Sequence, residues 1–142
     1  AEEYAEWNEF MKTKEQLNLI SGAIIDAAIE VHREFGPGLL ERVYEAALAK
    51  ELLHRSFHVV RQTVVPVIYK GEVEDEEGYR IDLLVEDSVV VELKTVPALL
   101  PVHEAQLHTY MKLAGKSLGL LINFNIPLLK DGIKRHVINF PQ

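Results

Sequence analysis

Near the middle of the chain, charged residues interrupt two apolar segments, in the stretch Tyr79-Arg-Ile-Asp-Leu-Leu-Val-Glu-Asp-Ser-Val-Val-Val-Glu-Leu-Lys94. The apolar segments have the composition of buried strands, and Glu86-Asp87-Ser88 between them is typical of a hairpin loop. A charge buried in such a strand costs several kcal/mol unless it is paired or bound to a metal. The stretch therefore predicts a hairpin in which the buried charges are paired with other charges or bound to a metal.

The length of the loop determines which residues face each other. With three loop residues, Val85 pairs with Val89. Counting back places two acids opposite each other and two bases opposite each other, namely Asp82 with Glu92 and Arg80 with Lys94. Opposed Cβ atoms lie about 5 Å apart, so the two carboxylates repel each other unless a cation such as Mg²⁺ lies between them. The alternative is a set of cross-strand ion pairs on a solvated face.

Around this hairpin, helix-like and strand-like patterns alternate. Helices are predicted at 17–35, 39–55 and 102–114, and strands at 58–69, 79–85, 89–94, 118–124 and 133–140. Gly36-Pro37-Gly38 separates the first two helices, and the acidic residues 72–77 are expected to form a loop. The order favours a single mixed β-sheet flanked by helices, in the α/β or α+β class. Residues 1–14 are interpreted as an N-terminal extension and 15–142 as one domain.

Composition limits the chemistry that the chain can perform. It has no cysteine, which excludes disulfides and thiolate metal sites, so a metal must bind oxygen or imidazole. The six histidines lack convincing zinc-ligand spacing. A net charge of −7 argues against nonspecific coating of nucleic acid, which depends on Lys and Arg. No apolar run approaches the roughly 18 residues needed to cross a bilayer, so we expect no membrane association and a cytoplasmic location.

Three ordered motifs resemble a known family. Asp82, followed ten residues later by Glu92-Leu93-Lys94, resembles the signature of the PD-(D/E)XK nuclease superfamily. Gly38-Leu-Leu-Glu41-Arg-Val-Tyr44 resembles the Gly-x-x-Glu-x-x-Tyr motif of its bacterial GxxExxY family, and Gln106-Leu-His-Thr-Tyr110 resembles the Gln-x-x-x-Tyr motif of RecB-like nucleases. The likeness extends from about Leu17 to Val137.

The resemblance implies a restriction-endonuclease-like core and a metal-dependent nuclease, with DNA favoured over RNA as substrate. It implies Mg²⁺ or Mn²⁺ held by Asp82, Glu92, the carbonyl of Leu93 and Glu41. Lys94 would assist the attacking water, and Gln106, Tyr110 and Tyr44 would contact the substrate. Nucleic acid is the expected partner, and a homodimer is expected because small nucleases often need a second subunit to hold their substrate.

Each of these roles has a structural alternative. Tyr44 and Tyr110 can be core residues with satisfied hydroxyls, Glu41 can be a favourable charge at a helix N-terminus, and Gln106 can be a surface amide. The whole chain can also be a non-catalytic nuclease-like module that binds nucleic acid or a protein. Its acidic charge favours that alternative, and the intact set of Asp82, Glu92 and Lys94 opposes it.

Overall fold

A five-stranded sheet forms the centre of the protein, and helices cover both of its faces. The computed structural model describes residues 12–142. In chain order the elements are α1 (Lys14–Phe35), α2 (Glu41–His54), β1 (Val59–Tyr69), β2 (Glu72–Val85), β3 (Val89–Lys94), α3 (Pro101–Ala114), β4 (Leu118–Asn123), a 3₁₀ turn (Leu129–Gly132) and β5 (Ile133–Val137). The strands follow sequence order across the sheet, and only β3 and β4 are parallel. The predicted mixed sheet flanked by helices is confirmed.

α1 is longer than its apolar pattern predicts because a capping box fixes its first turn. The Thr13 hydroxyl accepts a hydrogen bond from the Gln16 N–H at 3.1 Å, and the Gln16 side chain accepts one from the Thr13 N–H at 2.8 Å. The helix ends at Gly36, where φ is +64°, and Gly38 follows with φ of +108°. Glycine adopts both values without steric cost, so the chain turns sharply here and directs α2 back across the sheet.

The two faces of the sheet have separate apolar cores. On one face α1 and α2 pack on the sheet, and on the other face α3 does. The first core includes Ile24, Ala28, Leu48, Leu52, Val91, Leu93 and Leu120. The second includes Ile81, Leu84, Val90, Leu107, Met111 and Leu121. Burial on both faces explains why β3 and β4 read as continuous apolar runs. Within residues 12–142, no helix is long and apolar enough to span a bilayer.

The acidic segment, residues 72–77, is a strand, so its prediction as a loop is wrong. Tyr69 pairs with Glu72 across a tight turn at Lys70 and Gly71, both of which have positive φ as such hairpin turns require. The acidic side chains are exposed, and the segment is held by main-chain pairing to β1. Gly78 allows the strands to approach closely, since a Cβ there would lie 2.1 Å from the Val65 carbonyl oxygen. Pairing with β1 thus outweighs the poor strand propensity of the acidic residues.

Candidate metal and nucleic-acid site

The ladder between β2 and β3 ends just before the two central acids. Val85 pairs with Val89, which confirms the predicted three-residue loop, and the last pair is Leu83 with Val91. The predicted pairing of Arg80 with Lys94 therefore lies outside this ladder. The main chain of Arg80 pairs with β1 instead, and its side chain is exposed.

Beyond this point, each acid accepts a hydrogen bond from the other strand. The Leu93 N–H donates to Asp82 Oδ2 at 2.8 Å, and the Asp82 N–H donates to Glu92 Oε1 at 3.1 Å. Main-chain donors thus fix the orientation of both carboxylates. The second oxygen of each carboxylate takes no part in these two bonds. Asp82 and Glu92 are brought together as the register predicted.

Burial and crowding of like charges disfavour ionisation of these acids. Glu92 is 4% exposed, and its burial, followed by the nearby Asp82, raises its pKa to about 9. Burial also raises the pKa of Asp82, against the effect of the Leu93 N–H bond, and burial and Asp82 together raise the pKa of Glu41. The positive charge of Lys94 acts in the opposite direction and lowers the pKa of all three acids. Three carboxyl groups and one amine therefore share a single electrostatic environment.

The acids of this site fit a hard cation that keeps part of its water shell. Among residues 12–142, no three His, Asp or Glu side chains converge closely enough to enclose a metal ion. Mg²⁺ commonly uses only one or two carboxylates, together with water and substrate phosphate. A cation between Asp82 and Glu92 would relieve the crowding that raises their pKa values. The donor set, which is oxygen alone, suits Mg²⁺ or Mn²⁺.

The alternative of cross-strand ion pairs is not what the structure contains. In the part of the chain that the structure describes, the ion pairs are Arg33–Glu30, Arg55–Glu51, Arg61–Glu45 and Lys116–Asp87. None of them includes Asp82, Glu92 or Lys94. Asp82, Glu92 and Lys94 are therefore not explained as a solvated ladder of ion pairs.

A second group of polar residues, which the sequence did not suggest, supports Asp82 from the α2 side. Glu45 is buried one turn after the half-buried Glu41. Its Oε2 pairs with the Arg61 guanidinium at 2.9 Å, and its Oε1 accepts a hydrogen bond from Gln62 Nε2. The same Gln62 nitrogen lies 3.4 Å from Asp82 Oδ1. Glu45, Arg61 and Gln62 thus form a polar support, named here the Glu45 cluster, behind the acid.

A local distortion of β1 makes the Glu45 cluster possible. Successive side chains of a strand point to opposite faces, yet Arg61 and Gln62 both reach Glu45. Gln62 has φ of +53°, a conformation that non-glycine residues rarely adopt. A weak sequence signal exists in hindsight, because the polar Arg61-Gln62 interrupts a β-branched run and Glu45 lies four residues after Glu41, on the same helix face.

On the opposite face, α3 carries Gln106 and Tyr110, and Tyr110 lies near the acids. Both residues are half-buried. Burial raises the pKa of Tyr110, and the nearby Glu92 and Asp82 raise it further. The Tyr110 ring lies 5.5 Å from the ring of Tyr79 on β2, with the planes tilted by 37°. Tyr79 is a site neighbour that the sequence analysis missed, and its place at the start of the apolar segment gave no signal of this.

Tyr44 lies elsewhere, in the core. It is completely buried, and its ring stacks on Phe124 at a centroid distance of 4.5 Å. Its hydroxyl donates to the Gly36 carbonyl at 2.5 Å and accepts from the Leu39 N–H at 3.2 Å. These contacts match the alternative interpretation of Tyr44 as a core residue with a satisfied hydroxyl. Tyr44 holds the turn that leads into α2, and through it the start of the helix that carries Glu41.

The comparisons with known proteins agree with this geometry. A family model described as the PD-(D/E)XK nuclease superfamily matches residues 18–136, a range that contains the whole sheet except the last residue of β5. Searches of the curated proteins and of the solved structures find no match. The matching model names the superfamily and no branch of it, so the GxxExxY and RecB-like assignments stay interpretations of two motifs.

Proposed function

The chain belongs to the PD-(D/E)XK nuclease superfamily, and from that premise we propose that it is a metal-dependent nuclease that hydrolyses phosphodiester bonds, with DNA favoured over RNA. The observation that carries the proposal is the buried pair Asp82 and Glu92, each fixed by an N–H of the other strand where the ladder ends. Two oriented acids with raised pKa values are the arrangement that a divalent cation would stabilise.

In this proposal Asp82, Glu92 and the Leu93 carbonyl hold Mg²⁺ or Mn²⁺, and Glu41 supports the ion from α2 through a water molecule. Such ions stabilise charge on the attacking and leaving oxygens of a phosphodiester. Lys94, which shares the environment of all three acids, orients the attacking water or holds a phosphate oxygen. Gln106 and Tyr110 contact the substrate from α3.

The Glu45 cluster has a positioning role in this scheme. Gln62 Nε2 bridges Glu45 Oε1 and Asp82 Oδ1, and Arg61 offsets the buried charge of Glu45. Outer-shell partners of this kind orient the direct ligands of a metal. We assign Gln62 to orienting Asp82 and Glu45 to orienting Gln62.

A non-catalytic nuclease-like module that binds nucleic acid or a protein is the second candidate. The net charge of −7 and the exposed acidic segment favour the protein-binding form of this module, because both disfavour a long polyanionic ligand. The homodimer, the cytoplasmic location and the extension at residues 1–14 stay predictions. Residues 1–11 lie outside the described part of the chain, and Thr13 and Lys14 form the cap and the first residue of α1.

Cleavage of labelled single- and double-stranded DNA and RNA, with Mg²⁺ or Mn²⁺, tests the two candidates. The nuclease proposal predicts cleavage by the wild type that stops with EDTA and in both Asp82→Ala and Lys94→Ala. The matched control is Glu76→Gln, which removes an exposed acid of the same strand and should retain activity. No cleavage, or equal cleavage by wild type, Asp82→Ala and Lys94→Ala, would favour the binding module.

A further inference from the structure

A cavity of about 240 Å³ opens on the α3 face of the sheet. Its lining, named here the α3 pocket, consists of Tyr79, Val102, Ala105, Gln106, Thr109 and Tyr110. Tyr79, which lines the pocket, lies three residues before Asp82 on β2, or about 10 Å along an extended strand. Tyr110 lies near enough to Glu92 and Asp82 for both acids to raise its pKa. A group bound in the α3 pocket would therefore lie next to any phosphate held at Asp82 and Glu92.

The chemistry of the α3 pocket suits a neutral planar group. Tyr79 is 48% exposed although its ring contacts Tyr110, so about half of this aromatic residue remains accessible to a ligand. The Gln106 amide provides a donor and an acceptor, and the Thr109 hydroxyl provides both as well. These are the groups that recognise the edge of a nucleobase, while tyrosine rings stack on its face.

The same pocket is poorly suited to a phosphate. Its lining contains no lysine, arginine or histidine. The strand that carries Tyr79 begins with the exposed acidic segment, which repels a polyanionic backbone. A base, and not the sugar-phosphate chain, is the part of a nucleic acid that this surface favours.

We propose that the α3 pocket binds an unpaired nucleobase next to the scissile phosphate, stacked on Tyr79 and hydrogen-bonded by Gln106, so that the chain acts on single-stranded or frayed nucleic acid. This inference rests on the proposed nuclease function. A base inside a duplex is stacked and paired, and it reaches such a pocket only after unstacking, which costs a few kcal/mol.

Fluorescence of a single-stranded DNA oligonucleotide that carries 2-aminopurine, measured in EDTA to prevent cleavage, tests the stacking. Wild type and Tyr79→Phe should quench the probe, because stacking needs the ring and not the hydroxyl. Tyr79→Ala should lose the quenching and bind on the order of 5- to 150-fold more weakly. Tyr69→Ala is the matched control. Tyr69 is an exposed tyrosine at the end of β1, next to the β1–β2 turn, and this variant should behave as wild type.

Cleavage rates on single- and double-stranded DNA of the same sequence complete the test. The wild type should prefer the single strand, and Tyr79→Ala should lose that preference with its unfolding midpoint unchanged. Cleavage with equal quenching and equal preference in wild type and Tyr79→Ala would overturn the pocket assignment and leave the nuclease intact. Quenching that depends on Tyr79 without any cleavage would support the base pocket and contradict the nuclease.

Discussion

The two ends of β2 carry carboxylates in opposite environments. At its start, the acidic segment places five acids in six residues, all exposed to solvent. Near its end, Asp82 stands among buried residues, faces the almost fully buried Glu92 and accepts a hydrogen bond from β3. The first end has the greater charge density, and the second has the fixed geometry.

The comparison indicates that burial of the acids and main-chain N–H donors that fix their orientation identify a candidate site better than the number of acids does. Exposed acids keep their water and gain little from a cation at physiological salt. A cation stabilises buried, crowded acids strongly, because it replaces the water that they lose on burial and relieves the repulsion between their charges. If the account is right, altering the buried end should have large effects, and altering the acidic segment should have small ones.

The largest expected effect is on the chemical step. Lys94→Met removes the amine beside the buried acids and should lower kcat by about 10²- to 10⁴-fold. Lys70→Met removes an amine from the turn between β1 and β2, beside Tyr69, and should leave kcat unchanged. Steady-state cleavage kinetics measure both variants. A similar decrease in the two variants would show that general loss of positive charge, and not the place of Lys94, controls the rate.

The second effect concerns stability against pH in the metal-free protein. The pKa of Glu92 is raised to about 9 in the folded state, chiefly by burial, from an ordinary value of 4.5. Between these values the folded chain holds a proton that the unfolded chain has lost, so stability falls as pH rises, by on the order of 1 kcal/mol per pH unit. Glu92→Gln should be more stable than wild type at pH 8 and show a weaker dependence on pH.

Urea unfolding in EDTA at several pH values between 5 and 9 measures this slope. Asp82 and Glu41, whose pKa values are also raised by burial, should leave some slope in the variant. Glu76→Gln should retain the wild-type slope. Identical slopes in wild type and Glu92→Gln would mean that Glu92 ionises as an ordinary surface acid does.

A smaller effect is expected at the Glu45 cluster. Glu45→Ala leaves Gln62 with only its longer bond to Asp82 and Arg61 without its partner, and should cost about 1–3 kcal/mol of stability. The loss of Asp82 orientation should lower activity about 10- to 100-fold. Glu51→Ala on the same helix breaks the Arg55 ion pair and should cost at most about 1 kcal/mol. Equal activity of Glu45→Ala and Glu51→Ala would show that the Glu45 cluster does not position Asp82.

The smallest effect is expected at the acidic segment itself. The double variant Glu74→Gln with Glu76→Gln should change stability by no more than about 0.5 kcal/mol, because both side chains are exposed. Its association rate with single-stranded DNA should rise modestly at low salt, since a repulsive field is weakened. Stopped-flow binding at two salt concentrations measures this. A large loss of affinity would instead make the segment part of the binding site.

The loop length and strand composition predicted most of the sheet and the close approach of its central acids. Counting across Glu86-Asp87-Ser88 was sufficient to oppose Asp82 and Glu92, because a strand alternates faces with a fixed period. The acidic segment was assigned to a loop because its composition reflects solvent exposure, whereas main-chain pairing with β1 makes it a strand.

Other features depend on contacts between distant parts of the chain. Gln62 reaches Glu45 and Asp82 only because φ at Gln62 is positive, and nothing in its sequence neighbourhood requires that value. The motif containing Tyr44 suggested a substrate contact, yet packing on Phe124 and bonds to the turn before α2 place this tyrosine in the core. Tyr79 meets Tyr110 through the packing of α3 on this face of the sheet, which local periodicity does not reveal.

Calorimetric titration with Mn²⁺ tests most directly whether the buried pair, and not the acidic segment, binds a divalent cation. Wild type and the double variant Glu74→Gln with Glu76→Gln should bind Mn²⁺ with similar affinity, whereas Asp82→Asn and Glu92→Gln should show no binding in the same range while remaining folded. Loss of binding in the acidic-segment variant, with binding retained in Asp82→Asn, would contradict the account.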